Sequence, residues 1–173
     1  MNALDVLEFG YQTIVDAIVG LPEEKWTLPG VNGDWSVKDV IAHLTSFEHV
    51  LIDVLTSTFG NGSSPTLDRW LRDSQRFNDD EVARRRRESA RDVLAEYKEA
   101  HFETINLLIR IPPEALRQEG LLAWYGDGYD LEDFIVYMLY GHKREHGAQI
   151  AAFRDRVGAS PVVEERIAGL MFA

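Results

Sequence analysis

Apolar residues recur at helical spacing in four long stretches of this chain, and no segment keeps the apolar–polar alternation of a half-buried β-strand. The first stretch covers residues 3–20 and runs into a Gly-Leu-Pro segment, which favours the end of a helix. The second begins after Ser36, which forms a capping-box pattern with Asp39, and it ends at the breaker segment FGNGSSP, residues 59–65. The chain is therefore expected to fold as helices.

The second half of the chain predicts two further long helices. Residues 66–72 are expected to form a short extra helix before them. The third long helix is predicted at about residues 79–110, with Asn78 as its N-cap, because acidic residues follow in the first turn, where the helix dipole favours them. The fourth is predicted at about residues 131–157, with Asp130 as its N-cap.

Four amphipathic helices predict an all-α fold, a four-helix bundle with a short extra helix after helix 2 and a C-terminal tail. A chain of 173 residues suits one domain, so we predict a single helical bundle domain over residues 1–173. The tail ends in Leu170, Met171 and Phe172, which are expected to pack on the bundle or on a second subunit.

The charge balance argues against a nucleic-acid partner. The formal net charge is −11, whereas a nucleic-acid binder needs a basic surplus to neutralise phosphates. The one basic run, residues 84–87, follows Asp80 and Glu81 at the i,i+4 spacing that favours acid–base pairs on a helix. We therefore interpret this run as a solvated helix face.

Residues that the chain lacks exclude other classes of protein. It has no cysteine, which excludes disulfides, thiolate metal sites and cysteine nucleophiles. It has no glycine-rich phosphate motif, no GxSxG and no run of 18 apolar residues, so neither a serine hydrolase of that type nor a membrane span is predicted. Residues 1–20 lack a basic segment before an apolar one, so we expect no secretion signal and a cytoplasmic location.

Two histidines four residues apart, His142 and His146, interrupt the apolar stripe of the fourth predicted helix. At about 100° per residue, His142 lies about 20° and His146 about 60° from the direction that Leu131 and Gln149 share. Glu145 is predicted to flank the same face on its other side and to point inward. Histidines at i and i+4 can bind one metal ion.

His43, near the edge of the apolar stripe of the second helix, is the best candidate for a third ligand. Three imidazoles leave an open coordination position, as in catalytic metal sites, where bound water can become hydroxide near neutral pH. The expected ion is divalent zinc, nickel, iron or manganese. The alternative is that the histidines are core-edge groups bonded to backbone or to Glu145, because a buried polar group must be satisfied in any case.

Four further residues are predicted to line a pocket or to support these ligands: Gln149, Tyr97, His101 and Trp124. Gln149 shares the inward face of the fourth helix. Tyr97 and His101 lie near the apolar stripe of the third, where packing is the competing interpretation. Trp124 begins the segment WYGDG, a predicted turn and pocket rim before the fourth helix.

Two segments resemble the motifs of the DinB-like proteins. One is DWSVKDVIAHLTSFE, residues 34–48, with Trp-Ser followed by a His-Leu pair, and the other is GHKREHGAQI, residues 141–150, with two histidines four apart before Gln-Ile. The resemblance implies a bundle with an up-down-down-up arrangement, a homodimer, and a divalent metal bound by His43, His142 and His146.

The long segments around these motifs look most like the branch that includes ClbS and DfsB. That likeness implies self-protection against a reactive small molecule, whereas other relatives transfer low-molecular-weight thiols or use them in isomerisation. Two positions depart from the pattern. Glu145 stands where many DinB-like sequences carry a further histidine, and Lys143 stands where the ClbS branch often carries an aromatic residue.

Three functions remain open at this stage. The first is a metal-dependent enzyme that hydrolyses a small electrophilic substrate or transfers a low-molecular-weight thiol to it, with Glu145 as the proton-transfer or ligand-supporting group. The second is a non-catalytic bundle that binds and sequesters the same kind of molecule. The third is a structural bundle without metal, whose histidines are satisfied core groups.

Overall fold

Seven helices and one short 3₁₀ turn (Glu23–Lys25) occur in the part of the chain that the computed structural model describes, residues 2–60 and 62–158. They are α1 (Ala3–Ile18), α2 (Val37–Phe59), α3 (Pro65–Arg72), α4 (Ser74–Arg84), α5 (Ala90–Leu108), α6 (Pro113–Leu116) and α7, which joins α-helical Leu131–Phe134, π-helical Ile135–Gly141 and α-helical His142–Arg156. No β-strand occurs in the described residues, so the all-α prediction is confirmed.

The four longest helices run up, down, down and up. Helices α1 and α7 are parallel, because Gly10 packs on Lys143 near their middles and Arg154 donates to the carbonyl of Asp16 near their ends. Helices α2 and α5 are also parallel, since Lys38 near the start of α2 bonds to the turn that precedes α5, and Leu55 near the end of α2 lines a cavity together with Leu107 near the end of α5. This direction pattern is the one that the DinB-like resemblance implied.

The core divides into two apolar clusters, one toward each end of the bundle. One cluster combines the first half of α1 with the second half of α2 and the start of α7. The other combines the second half of α1 with the first half of α2, the start of α5 and the end of α7. Buried polar side chains of α2 and α7 lie between these clusters, at the middle of the bundle.

The third predicted helix is wrong in its bounds. Instead of one helix at 79–110, the chain forms α4 and α5, separated by a turn at residues 85–89. Asn78 lies inside α4, while Asp73 caps α4 and Ser89 caps α5. No Gly or Pro marks this break, and its only local signal is the Ser89–Asp92 capping pattern.

The solvated face predicted for residues 84–87 is correct for three of its arginines and wrong for Arg85. The Arg85 side chain is fully buried, and its guanidinium donates to Glu81 on α4 at 2.8 Å and to Glu96 on α5 at 2.6 Å. Lys38 of α2 donates to two carbonyls of the same turn, those of Arg86 and Glu88. The break between α4 and α5 is therefore held by tertiary contacts that local spacing does not show.

Two other predictions concern a membrane span and the C-terminal tail, and the structure bears on them only within the described residues. Within them, no helix is both long and apolar enough to cross a membrane. The apolar tail that was expected to pack on the bundle or on a second subunit lies outside the described residues. Gly158, the last described residue, has a φ of 76° and follows the end of α7, as a left-handed C-terminal glycine does.

Candidate metal centre

Helix α2 begins as the sequence predicts and carries His43 into the middle of the bundle. Ser36 and Asp39 form the expected capping box, in which the backbone N–H of each residue donates to the side chain of the other. Most residues of α2 are then buried, because the helix contacts α3, α4 and α5 as well as α7. His43, only 4 % exposed, therefore meets α7 in the interior.

The three predicted histidines converge on one point. His142 Nε2 lies 2.9 Å from His43 Nε2 and 3.0 Å from His146 Nε2. One nitrogen of each ring lies within 4.8 Å of the nitrogens of the other two. His43 and His146 are buried and His142 is half-buried, so the cluster reaches the surface on the His142 side. The structure brings together two residues of α7 and one of α2, separated by about a hundred positions in sequence.

Gln149 orients one of these rings. Its Oε1 lies 2.8 Å from His146 Nδ1, which places a proton on Nδ1 and leaves the Nε2 lone pair free to face the other histidines. Gln149 Nε2 lies 3.5 Å from a carboxylate oxygen of Glu145. The predicted supporting position of Gln149 therefore corresponds to a direct contact with a candidate ligand.

Aromatic rings surround the histidines. Trp35 packs with its ring centroid 5.0 Å from that of His43, and Phe47 packs 4.5 Å from His142. Trp70 lies 5.8 Å from Phe47, and Trp124 lies 5.9 Å from Trp70. Trp124 is 37 % exposed, so this row of rings leads from His142 to the surface. Trp124 is a rim residue of that row and does not contact a histidine ring.

The surroundings keep the three imidazoles neutral. Burial, followed by the nearby His142 and His146, lowers the pKa of His43 from 6.5 to about 2. Burial and then His146 lower the pKa of His142 to about 3. Burial also lowers the pKa of His146, although Gln149 and Glu145 partly oppose it. Neutral imidazole is the form that offers a lone pair to a metal.

These residues fit a divalent metal ion. Ligand nitrogens at about 2.0–2.1 Å from a tetrahedral zinc lie roughly 3.3 Å apart, and two of the Nε2 separations here, 2.9 Å and 3.0 Å, are close to that value. Three neutral nitrogens facing one another cannot all be satisfied by mutual hydrogen bonds, because each Nε2 is either a donor or an acceptor. A cation that accepts all three lone pairs resolves this conflict.

The inward direction predicted for Glu145 is wrong, and the π-helical segment is the reason. At about 100° per residue, the buried residues up to Ile135 and those from Lys143 onward point in directions that differ by roughly 100°, which corresponds to one extra residue. The segment therefore rotates the rest of α7 relative to a continuous α-helix. Glu145 becomes exposed, His142 moves to the edge of the buried face, and Lys143 turns inward.

Tyr97 and His101, predicted to line the pocket, lie in a different buried cluster. His101 stacks on Tyr11 with the ring centroids 4.2 Å apart and has its Nδ1 3.5 Å from Glu48 Oε1. Tyr97 is fully buried near Tyr11 as well. The packing alternative considered for both residues describes these contacts.

Sequence reasoning missed the partner of this second cluster. Lys143 Nζ lies 2.5 Å from Glu48 Oε1, and both side chains are at most 1 % exposed. The only sequence signal was a charged residue inside each apolar stretch, which is a weak one, because solvated charges look the same until the helix phase is known.

Comparison with known families agrees with this fold and site. The sequence profile described as the DinB superfamily matches residues 7–150, which include all three histidines and most of the bundle. Neither the curated proteins nor the solved structures gave a match to the chain. Because the profile covers well over half of its 173 residues, the chain belongs to the DinB superfamily.

Proposed function

We propose that this protein is a metal-dependent enzyme that acts on a small electrophilic molecule, by hydrolysis or by transfer of a low-molecular-weight thiol. The observation that carries the proposal is the convergence of one nitrogen from each of His43, His142 and His146 within 4.8 Å. Three protein ligands leave a position for water or substrate, which is typical of catalytic rather than structural metal sites.

Each residue of the site has a distinct role in this proposal. The three histidines bind a divalent ion through Nε2, and Gln149 fixes the tautomer of His146. When bound, such an ion supplies Lewis-acid activation of a water or thiol nucleophile. Glu145, exposed and within reach of Gln149, exchanges protons between the edge of the site and solvent.

The site also favours a class of substrate. The rings of Trp35 and Phe47 contact the histidines, and Trp70 and Trp124 continue that wall outward. The wall that these four side chains form is aromatic and carries no formal charge. An uncharged molecule with an apolar or aromatic body suits these surroundings.

The finer assignments rest on the resemblance. The two histidine motifs and the segments around them support a place near the ClbS and DfsB branch, with detoxification or self-protection as the biological role. Lys143 replaces the aromatic residue common in that branch, so the substrate is expected to differ from that of ClbS. We also propose a cytoplasmic homodimer, of which the dimer is what the resemblance implies. We propose no membrane partner and no nucleic-acid partner, and for the latter the net charge of −11, which repels phosphates, is the supporting observation.

Elemental analysis of protein purified without a histidine tag tests the metal assignment. We expect about one divalent ion per chain, which the His43→Ala variant loses while it stays helical by circular dichroism. His49→Ala is the matched control, because His49 lies on the same helix but is bonded to Glu96. An His43→Ala variant that keeps full metal content would contradict the assignment.

A second measurement separates catalysis from sequestration. The metal-loaded protein is incubated with a panel of uncharged aromatic electrophiles, such as epoxides and activated esters, with and without low-molecular-weight thiols. Product in excess of protein that requires His142 supports an enzyme. Protection limited to one molecule per chain, with no product, favours the binding alternative.

A further inference from the structure

A second buried polar cluster lies beside the histidines, and we call it the Glu48 cluster: Glu48, His101, Thr104 and Lys143. Glu48 is fully buried on α2, and its Oε1 lies 2.5 Å from Lys143 Nζ of α7. Thr104 donates to the other carboxylate oxygen at 3.1 Å, and His101 Nδ1 lies 3.5 Å from Oε1. The 2.5 Å separation of Oε1 and Nζ makes this contact an ion pair between two buried groups.

Stability alone is a weak explanation for this pair. Moving both charges out of water is unfavourable, and buried ion pairs can often be replaced by apolar side chains without loss of stability. A buried pair can instead specify one geometry among several, because breaking it leaves an unpaired charge in every other arrangement. The question is which geometry the pair of Glu48 and Lys143 specifies.

The pair joins the two helices that carry the histidines. Among residues 2–60 and 62–158, only two polar side-chain contacts link α2 to α7: His43 with His142, and Glu48 with Lys143. Lys143 directly follows His142, and Glu48 lies five residues after His43, about 7.5 Å along α2. The ion pair therefore fixes the distance between the helices within about one and a half turns of the histidines.

Two features of the fold bring Lys143 to this place. The rotation introduced by the π-helical segment, Ile135–Gly141, turns Lys143 from the flank of the helix to its buried face. Gly10 on α1 then leaves room for its stem, since a Cβ at that position would lie 3.0 Å from Lys143 Cδ. The same rotation places His146 inward and His142 at the open edge. The same rotation of α7 therefore orients Lys143 for the ion pair and His142 and His146 for the histidine cluster.

We infer that Lys143, paired with Glu48, is a positioning residue that holds His142 against His43 before any metal binds. The inference rests on the proposed function, because it explains how the ligands are arranged for an ion. Ligands that are already in place bind a metal more tightly, since less ordering is needed on binding. Removal of the pair is expected to weaken metal affinity by 10-fold or more, the range seen when groups that orient metal ligands are removed.

The test compares two buried lysines. Lys143 pairs with Glu48 of α2, and Lys38 lies on α2 itself. Glu48→Leu combined with Lys143→Met removes both charges, so the variant is expected to fold. Lys38→Met is the matched control, because Lys38 is buried on α2 but bonds only to carbonyls in the turn between α4 and α5. Zn²⁺ and Ni²⁺ affinities are measured by competition with a chromophoric chelator, well below the melting temperature of each variant.

A metal-free readout separates the inference from the proposed function. Ring-to-ring nuclear Overhauser effects between His43 and His142 are recorded in the apo protein and in both variants. We expect them to be strong in the wild type and in Lys38→Met, and weak in the double variant, together with a 10-fold loss of metal affinity. Unchanged Overhauser effects and affinities within twofold of the wild type would overturn the inference. If the wild type binds no metal but the double variant loses the contacts, the proposed function fails and the positioning role stands.

Discussion

The histidine cluster (His43, His142 and His146) and the Glu48 cluster lie side by side between α2 and α7, yet they are built in opposite ways. The Glu48 cluster pairs a carboxylate with an ammonium group, so its charges neutralise each other. The histidine cluster brings together three like groups, each with a nitrogen facing the others. Opposite charges in contact are typical of a structural link, whereas like groups held together without a counter-charge are typical of a binding site.

The pKa values express the same difference. In the histidine cluster, burial and mutual repulsion lower the pKa of His43 to about 2, so the rings are neutral. In the Glu48 cluster, burial by itself raises the pKa of Glu48, but the charge of Lys143 and then the neighbouring His101 outweigh it and lower the pKa to about 2. One cluster excludes charge and the other stabilises it, at the same depth in the bundle.

The largest expected effect concerns the phase of α7, the helix that contributes to both clusters. Deletion of Ala148 rotates the rest of α7 by about 100°, which takes Ile150 and Phe153 out of the core at about 1.5–3 kcal/mol each. Deletion of the exposed Tyr137 instead removes the extra residue of the π-helical segment, so both buried faces stay aligned and about 1 kcal/mol or less is lost.

Urea unfolding of the two deletion variants measures this difference. Equal destabilisation by both deletions would show that the π-helical segment does not set the phase of α7. Greater loss on deletion of Tyr137 would show that the segment itself contributes stability.

The next largest effect compares how substitutions in the two clusters change the free energy of unfolding. Glu48→Leu leaves the Lys143 charge buried without a carboxylate and is expected to lower the free energy of unfolding by about 3–5 kcal/mol, most of which Lys143→Met restores. His43→Leu in the metal-free protein strands no charge and is expected to cost less than about 2 kcal/mol. Chemical denaturation with a chelator present measures all three. A larger loss from His43→Leu than from Glu48→Leu would reverse our comparison.

A smaller effect is expected at the edge of the histidine cluster. Gln149→Ala removes the oxygen that accepts from His146 Nδ1, so the ring can turn or change tautomer, and metal affinity should fall about 10- to 100-fold. Glu145→Gln is the control, because Glu145 contacts Gln149 but no histidine ring, and its metal affinity should match the wild type. Isothermal titration with Zn²⁺ measures both. Identical affinities for the wild type and Gln149→Ala would exclude an orienting role for Gln149.

The smallest expected effect is in the pH dependence of stability, which differs between the two clusters. The folded pKa values of about 3 for His142 and about 2 for His43 lie below 6.5, so the unfolded chain binds these protons first and stability of the metal-free protein falls as pH drops below 6.5. Glu48, with its pKa lowered from 4.5 to about 2, contributes stability that is present above pH 4.5 and lost only as pH falls from there toward 2. Of the two clusters, therefore, only the histidine cluster changes the stability of the metal-free protein between pH 6.5 and 4.5.

Denaturation of the metal-free protein at pH 7, 6 and 5 checks this window. The free energy of unfolding should depend less steeply on pH in the His142→Gln variant than in the wild type. The two slopes should differ by up to about 1.4 kcal/mol per pH unit, the value for one proton. A variant with the full wild-type slope would show that His142 does not resist protonation in the fold.

The helices and histidines were predictable because their signals are local. Apolar spacing predicted α1, α2 and α7 to within a few residues, and the capping boxes at Ser36 and Asp130 are present. The spacing of His142 and His146 needs no knowledge of other helices. His43 could be added as the third ligand only through an assumed neighbour, which the contact between α2 and α7 supplies.

The failures involve contacts between helices or a helix geometry that local apolar spacing does not show. The turn between α4 and α5 depends on Arg85 reaching Glu96 and on Lys38 reaching the carbonyls of that turn. The exposed position of Glu145 depends on the π-helical segment, for which a continuous 100° periodicity gives no sign. One extra residue within a helix leaves no sign in the apolar periodicity until the packing of the helix on both sides of it is known.

The sequence by itself determined that this chain is helical, where α1, α2 and α7 begin, and that histidines of two helices face its interior, because those properties depend on neighbours within one or two turns. Only the tertiary structure decided which charged residues are buried, since Lys143 and Arg85 leave water only where a carboxylate from another helix meets them. It also decided the phase of α7, because the two apolar clusters, packed against separate halves of that helix, together select the π-helical turn between them.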